Sequence, residues 1–297
     1  MDAPRQETPP TSQTEQHAAH AATGREAARV PEFPEGRRLA SLYGRNARAV
    51  IERGFKVIAR QNWAVLVSGF FEPVLYLLAM GLGLGALVGE VTGPGGTSIA
   101  YTAYIAPALL ATSAMNGAIY DSTWNVFFKL RFARVYQAML QTSLGPMDVA
   151  LGEIFMALFR GFLYACGFMG VMLVMGLVTS PWAILMVPVA LLIAVGFASV
   201  GMAVTSYLKS FQQMDVINFV MLPMFLFSAT LYPIEVFPEA IQWFIKAMPL
   251  WHGVELMRHL AVGFVSGATI GHALYFVVMT VFGVWFTTIR LRALFLR

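Results

Sequence analysis

Residues 181–206 read PWAILMVPVALLIAVGFASVGMAVTS, a stretch without one charged side chain. An apolar run of about 20 residues is the length that crosses the hydrocarbon core of a bilayer as a helix. Working outward from it, five further runs of the same kind appear, and together they predict spans at Trp63–Gly89, Tyr101–Trp124, Met147–Val178, Pro181–Ser206, Val216–Tyr232 and Ala268–Ile289. Composition agrees, with 58% hydrophobic and only 12% charged residues and a mean hydropathy of +0.65. The expected fold class is all-α integral membrane, with a six-span domain over 63–289.

The charges set an orientation. Half of the 20 Lys and Arg lie before the first span, between Arg5 and Arg60. Lys129, Arg131 and Arg134 follow span two, Lys209 follows span four, and Arg290, Arg292 and Arg297 form a basic tail over 290–297. All of these fall on one side, which leaves only Lys246 and Arg258 on the other and Arg160 within a span. The positive-inside rule then places both termini in the cytoplasm, as an even number of spans requires. The expected location is a bacterial cytoplasmic membrane, crossed several times. The basic balance reads as topology, not as nucleic-acid binding.

Residues 1–36 contain no apolar h-region of a signal peptide and are rich in Pro, Thr, Gln, Ala and charge. Such a segment buries too little apolar surface to fold and is expected to be disordered. Cys166 is the single cysteine, so no intrachain disulfide can form. Residues 37–62 read as an amphipathic helix, with Leu39, Tyr43, Ala47, Val50 and Ile58 near one stripe and Arg45, Arg48, Glu52, Lys56 and Arg60 on another. That pattern suits a helix in the headgroup layer. Two roles stand open for it: an interfacial anchor, or a lateral element that passes motion from a soluble partner to the first span.

The segment between spans two and three runs FFKLRFARVYQAMLQTSLGP over 127–146 and continues MDVALGE to Glu153. It is basic and aromatic, and it ends at the breaker pair Gly145-Pro146, so it predicts a short protruding helix. A second block, FSATLYPIEVFP over 227–238, precedes Met248-Pro249-Leu250 and Glu255-Leu-Met-Arg258. Together with Glu72-Pro73 and YIAPALLATSAMN over 104–116, these blocks resemble ABC-2 type exporter permeases. The likeness is greatest to the branch that exports lipooligosaccharide nodulation factors and daunorubicin, and it extends over roughly 37–297.

The resemblance implies a coupling helix that docks on an ATPase through Arg131, Arg134, Tyr136, Gln137, Met139, Leu140 and Pro146, with Gln137 standing where many relatives carry an acidic residue. It also implies two separate ATPase subunits per complex, which carry the ATP and Mg, and a second permease copy or a similar permease. Spans two and five would line the path, offering Asn116, Tyr120, Asn218, Met221, Met224 and Phe225. Methionine and aromatic side chains adapt to varied apolar ligands, although the same spacing also suits plain packing. The outer loop, with Tyr232, Pro233, Pro238, Glu255 and Arg258, is expected to form re-entrant helices in the outer leaflet.

No Gly-x-x-x-x-Gly-Lys-Ser/Thr loop occurs, so the chain is expected to hydrolyse no ATP itself, to be no enzyme and to carry no cofactor. A self-sufficient secondary transporter or channel would need a chain of ionisable residues, and only Glu72 and Arg160 stand well inside spans. Charges at that depth usually pair, so Glu72 is the expected partner of Arg160, with Glu153 as its rival. A membrane-embedded enzyme would need clustered acids and histidines. His252, Glu255 and His259 fall on one side of a short helix, and the favoured reading of that stripe is a water-facing surface without a metal.

Overall fold

The structure is a computed structural model that describes residues 47–60, 63–131, 146–208 and 210–295. It is mostly helical. Helix α1 (Ala47–Arg60) carries an exposed Arg48–Glu52 pair one turn apart, at 2.8 Å, and buries Val50 on its other side. Helix α2 (Trp63–Leu78) runs on through a π-turn at Ala79–Leu84 to a last turn at Gly85–Val88. The π-turn opens a backbone carbonyl, and Thr102 Oγ1 donates to Gly81 O at 2.8 Å. A Cβ at Gly81 would stand 2.7 Å from Thr102 Cγ2, so glycine is what lets the two chains approach.

A β-hairpin absent from the sequence expectation follows. Strands β1 (Glu90–Thr92) and β2 (Ser98–Ala100) pair antiparallel, with Val91 opposite Ile99. Gly95 and Gly96 make the turn at positive φ, where an L side chain is strained.

Helix α3 (Tyr101–Tyr120), prolonged by a π-turn at Asp121–Asn125 and by Val126–Arg131, lies at the centre. Tyr104, Ile105, Leu109, Leu110 and Met115 are all buried in it. A helix covered by protein on most sides can bury Thr112, whose hydroxyl donates to Ala108 O at 2.9 Å. Helices α4 (Pro146–Val174) and α5 (Met186–Thr205, entered by a 3₁₀ turn at Pro181–Leu185) pack against it, and α9 (Gly267–Phe295) packs on α5. Between them come α6 (Asp215–Leu226), α7 (Glu239–Ala247) and α8 (Pro249–Val262).

The second expected span is not among the segments that, within the described residues, are long and apolar enough to cross a membrane, which are four: Phe71–Val88, Gly152–Val174, Pro181–Thr205 and Gly267–Thr287. These match the first, third, fourth and sixth expected spans. The fifth departs from expectation. Its helix α6 ends at Leu226 and, at 12 residues, measures about 18 Å. The apolar run continues to Tyr232, but Ser228 turns its hydroxyl onto Phe225 O and Thr230 Oγ1, and Ala229 adopts a φ of 55°. Local side-chain hydrogen bonds of this kind compete with the helix and end it.

Helices α3, α5 and α9 meet through small and hydroxylated residues. The Thr205 hydroxyl is shared between Gly201 O (2.8 Å) and Ser122 O (3.1 Å), and Thr287 Oγ1 donates to Ser199 O at 3.1 Å. Close backbone approach plus interhelical hydrogen bonds is how helices associate where lipid removes the hydrophobic drive.

Candidate functional site

The segment over 132–145, expected to couple to an ATPase, is framed by structure on both sides. Arg131 ends the extension of α3, and Pro146 opens α4 at the first helical position, where its missing N–H costs nothing. Arg134, Tyr136, Gln137, Met139 and Leu140 lie outside the described residues. Immediately after the segment, α1 is clasped to the first turns of α4. A Cβ on Gly152 would stand 2.5 Å from Val50 Cγ1, and one on Gly54 would stand 2.7 Å from Met156. Each helix therefore presents a glycine to a side chain of the other. Phe55 adds edge-on contacts to Phe155 (6.4 Å) and Phe159 (5.0 Å). Asp148 is buried in the first turn of α4, where the helix dipole favours an acid.

Deeper in α4, Arg160 does not pair as expected. Its Nη2 donates to Asp121 Oδ1 at 2.7 Å and its Nε to Asp121 Oδ2 at 3.3 Å. Asn125 Nδ2 also donates to Asp121 Oδ1, at 3.3 Å. Glu72 is exposed and has no ion pair among the described residues, while Glu153 is half-buried on α4. The π-turn explains the correction, because it sets Asp121 on the α4 side of α3. A two-point guanidinium–carboxylate contact then outcompetes a single acid on α2. An aspartate inside the expected second span was the available signal.

The expected path residues divide. Asn116 and Tyr120 share one exposed stripe of α3. Tyr120 stacks on Trp124 (6.5 Å, 16° between planes) beside a recess of about 230 Å³ lined also by Asn125, Phe127 and Phe128. On α6, Asn218 is exposed and Phe225 meets Tyr76 (6.5 Å), whereas Met221 and Met224 pack against the core of the protomer.

The outer loop converges on Arg258, which is 2% exposed. Its guanidinium carbon lies 3.6 Å from the centre of the Tyr104 ring. Nη1 donates to Glu255 Oε1 at 3.1 Å, Nε to Tyr104 O at 3.2 Å, and Nη2 to both Ala229 O (2.7 Å) and Thr230 O (3.0 Å). Each of the three guanidinium nitrogens of the buried cation thus has a partner, as burial of a charge demands. Arg258 links α8 to α3 and to the turn that ends α6. Tyr232 lies exposed just beyond that turn; Pro233 precedes the 3₁₀ turn Ile234–Val236 and Pro238 precedes α7.

The stripe of His252, Glu255 and His259 does not face water. It faces α9, and it recruits His272, which sequence periodicity along one helix could not supply. His252 Nδ1 and His272 Nδ1 are 2.8 Å apart, and His252 stacks on Tyr275 at 4.1 Å. His259 Nδ1 meets Thr269 Oγ1 at 2.9 Å, and its Nε2 is 3.8 Å from Glu255 Oε2. Burial holds the His252 imidazole below its ordinary pKa, with a hydrogen bond to the Lys246 backbone opposing. Burial likewise lowers His259, where Glu255 opposes and Arg258 reinforces the shift. Among the described residues no group of three or more His, Cys, Asp or Glu is placed to hold a metal ion.

The description "ABC-2 type transporter" belongs to the protein family that matches residues 45–262, from the start of the α1 region to the last residue of α8. The chain is 31% identical over 223 residues to Nodulation protein J of Rhizobium leguminosarum bv. viciae, an alignment covering 74% of this chain and 83% of that protein. It is 31% identical over 218 residues to Nodulation protein J of Rhizobium leguminosarum bv. trifolii (72% and 80%). To that of Rhizobium meliloti it is 29% identical over 223 residues (74% and 82%).

Proposed function

We infer the function from this premise: the chain belongs to the ABC-2 type transporter family. It is a membrane subunit of a transporter. The finer reading we propose is the permease of an exporter that carries an amphiphilic, lipid-linked or drug-like substrate outward across a bacterial cytoplasmic membrane. Two separate ATPase subunits bind ATP and Mg and supply the energy, and a second permease copy, or a similar permease, completes the path. Both termini are cytoplasmic in this reading. Helix α3 with its extension acts as the second span, and α6 with the turns around it as the fifth. Helices α7 and α8 are re-entrant in the outer leaflet.

The observation that carries this reading is the clasp between α1 and the start of α4, directly after the 132–145 segment. A push on that segment reaches α4 and α1 together, and the Arg160–Asp121 pair then connects α4 to α3. The exposed Asn116–Tyr120 stripe lies on α3 itself, so the same motion reaches the proposed path.

The test compares the lipids and glycolipids of culture medium and membranes from cells that carry the native chain with those from cells carrying Leu140→Asp, by mass spectrometry. An amphiphile that leaves the medium and accumulates in the variant cells is the expected result. Identical profiles, with equal membrane levels of both proteins, contradict export.

A further inference from the structure

Three of the five histidines of the chain, His252, His259 and His272, meet at one junction between α8 and α9. The central contact places two Nδ1 atoms 2.8 Å apart. An imidazole nitrogen donates when protonated and accepts when it is not. This contact therefore requires one donor and one acceptor, and the pair can hold one extra proton at most. With two, both Nδ1 atoms carry hydrogens aimed at each other, and two cations face one another across 2.8 Å in a half-buried site. Beside the pair, Trp251 Nε1 is buried without a hydrogen-bond partner, and an indole N–H only donates, so it cannot accept from a protonated imidazole.

We propose that the His252–His272 contact is a proton-operated latch, closed with no more than one added proton and opened by the second, which frees α8 from α9. Charged and titratable groups surround it on several elements. On α8 they are Glu255, Arg258 and His259, and on α9 Tyr275. Helix α7 contributes Lys246, whose ammonium sits 5.8 Å over the Trp243 ring. Helix α3 contributes Tyr101 and Tyr104 around Arg258. The 3₁₀ turns Pro94–Gly96 and Pro181–Leu185 and helix α5 contain no ionisable side chain. Glu255, the acid of the junction, is engaged by Arg258 and lies toward His259, so it does not neutralise a doubly charged His252–His272 pair.

The sign follows from linkage. The closed junction binds the second proton more weakly than the open one, so docking is complete above the ordinary histidine pKa of about 6.5 and is lost as pH falls below it. What the latch releases is functional. Arg258 on α8 holds the carbonyls that end α6, so freeing α8 loosens that end of the proposed path. The proposed orientation determines only whose acidity is sensed, namely that of the outer side.

The test uses the full-length protein in lipid nanodiscs, with hydrogen exchange followed at pH 7.5 and 5.0 and corrected for chemical exchange. Exchange over 249–262 and 267–276 is expected to accelerate at least tenfold at pH 5.0, while 186–205 stays unchanged. Asparagine places an amide near the position of Nδ1 and takes no proton. His272→Asn and His252→Asn should therefore match the native protein at pH 7.5 and abolish the acceleration. An unchanged native profile overturns the latch. So does an acceleration that survives both variants and disappears in His259→Asn, which would locate it at Glu255–His259. If the variants do not fold, histidine NMR of the native chain decides: two protons taken up by the pair without faster exchange also overturns it. None of these readouts depends on transport, so failure here is separable from failure of the exporter reading.

Discussion

Arg160 Nη2 lies 2.7 Å from Asp121 Oδ1, joining the middle of α4 to the π-turn that ends α3. Both side chains are only about one-fifth exposed, at 22% and 19%. Removing one member leaves an uncompensated charge in an apolar setting. Asp121→Asn and Arg160→Gln should each lower the unfolding temperature in detergent. The double variant should fall short of additivity by about 1 kcal/mol or more. Glu72→Gln should stay within about 0.5 kcal/mol of the native protein. Additive losses at Asp121 and Arg160 would refute the pairing.

Arg258 satisfies two carbonyls at the end of α6 as well as Tyr104 O. In Arg258→Met these acceptors are left buried, at about 1–3 kcal/mol each. Arg258→Lys should recover little, because an ammonium cannot fork across Ala229 and Thr230 while covering the Tyr104 ring. Thermal unfolding of the three proteins should rank native well above Lys and Lys at or above Met. A Lys variant equal to the native protein would contradict the forked geometry.

Ala229 holds a φ of 55°, a conformation that glycine adopts without Cβ strain. Ala229→Gly should raise stability by up to about 1 kcal/mol, since the left-handed conformation costs an L residue about 1–2 kcal/mol and glycine gives part of that back as chain entropy. A lower unfolding temperature for this variant would mean that the alanine methyl matters more than its backbone strain.

Gly152 receives Val50, and a larger side chain there forces α1 away from α4. Gly152→Leu is expected to cost about 1–3 kcal/mol of overpacking. If the clasp transmits motion, it should lower transport by more than it lowers the amount of protein in the membrane, and Val50→Ala should restore part of that loss. A fall in transport no larger than the fall in membrane level would instead make α1 a plain anchor.

Much of the fold was legible from apolar run length, because an uncharged stretch such as 181–206 leaves the chain no other environment. The turn at Ser228–Thr230 was not, since hydroxylated residues also occur within spanning helices and the break comes from the local hydrogen bonds they make here. The hairpin was readable in hindsight: Gly93-Pro94-Gly95-Gly96 is a turn signal, with Val91 and Ile99 in alternation beside it. The partner of Arg160 was missed because span membership says nothing about which way Asp121 faces once a π-turn intervenes. His272 was missed for a related reason. A stripe on one helix reveals its own members and not those of the helix packed against it, which is also why the histidine stripe was read as facing water.

A separate ATPase is the central requirement of the exporter reading. Tagged chain should be extracted in mild detergent from its native membrane and its companions identified by mass spectrometry. A stoichiometric protein with a phosphate-binding Gly-x-x-x-x-Gly-Lys-Ser/Thr loop is predicted, lost when Tyr136 and Leu140 are replaced by Asp while the permease remains folded. Intact, folded protein that repeatedly emerges with no ATPase would contradict the account.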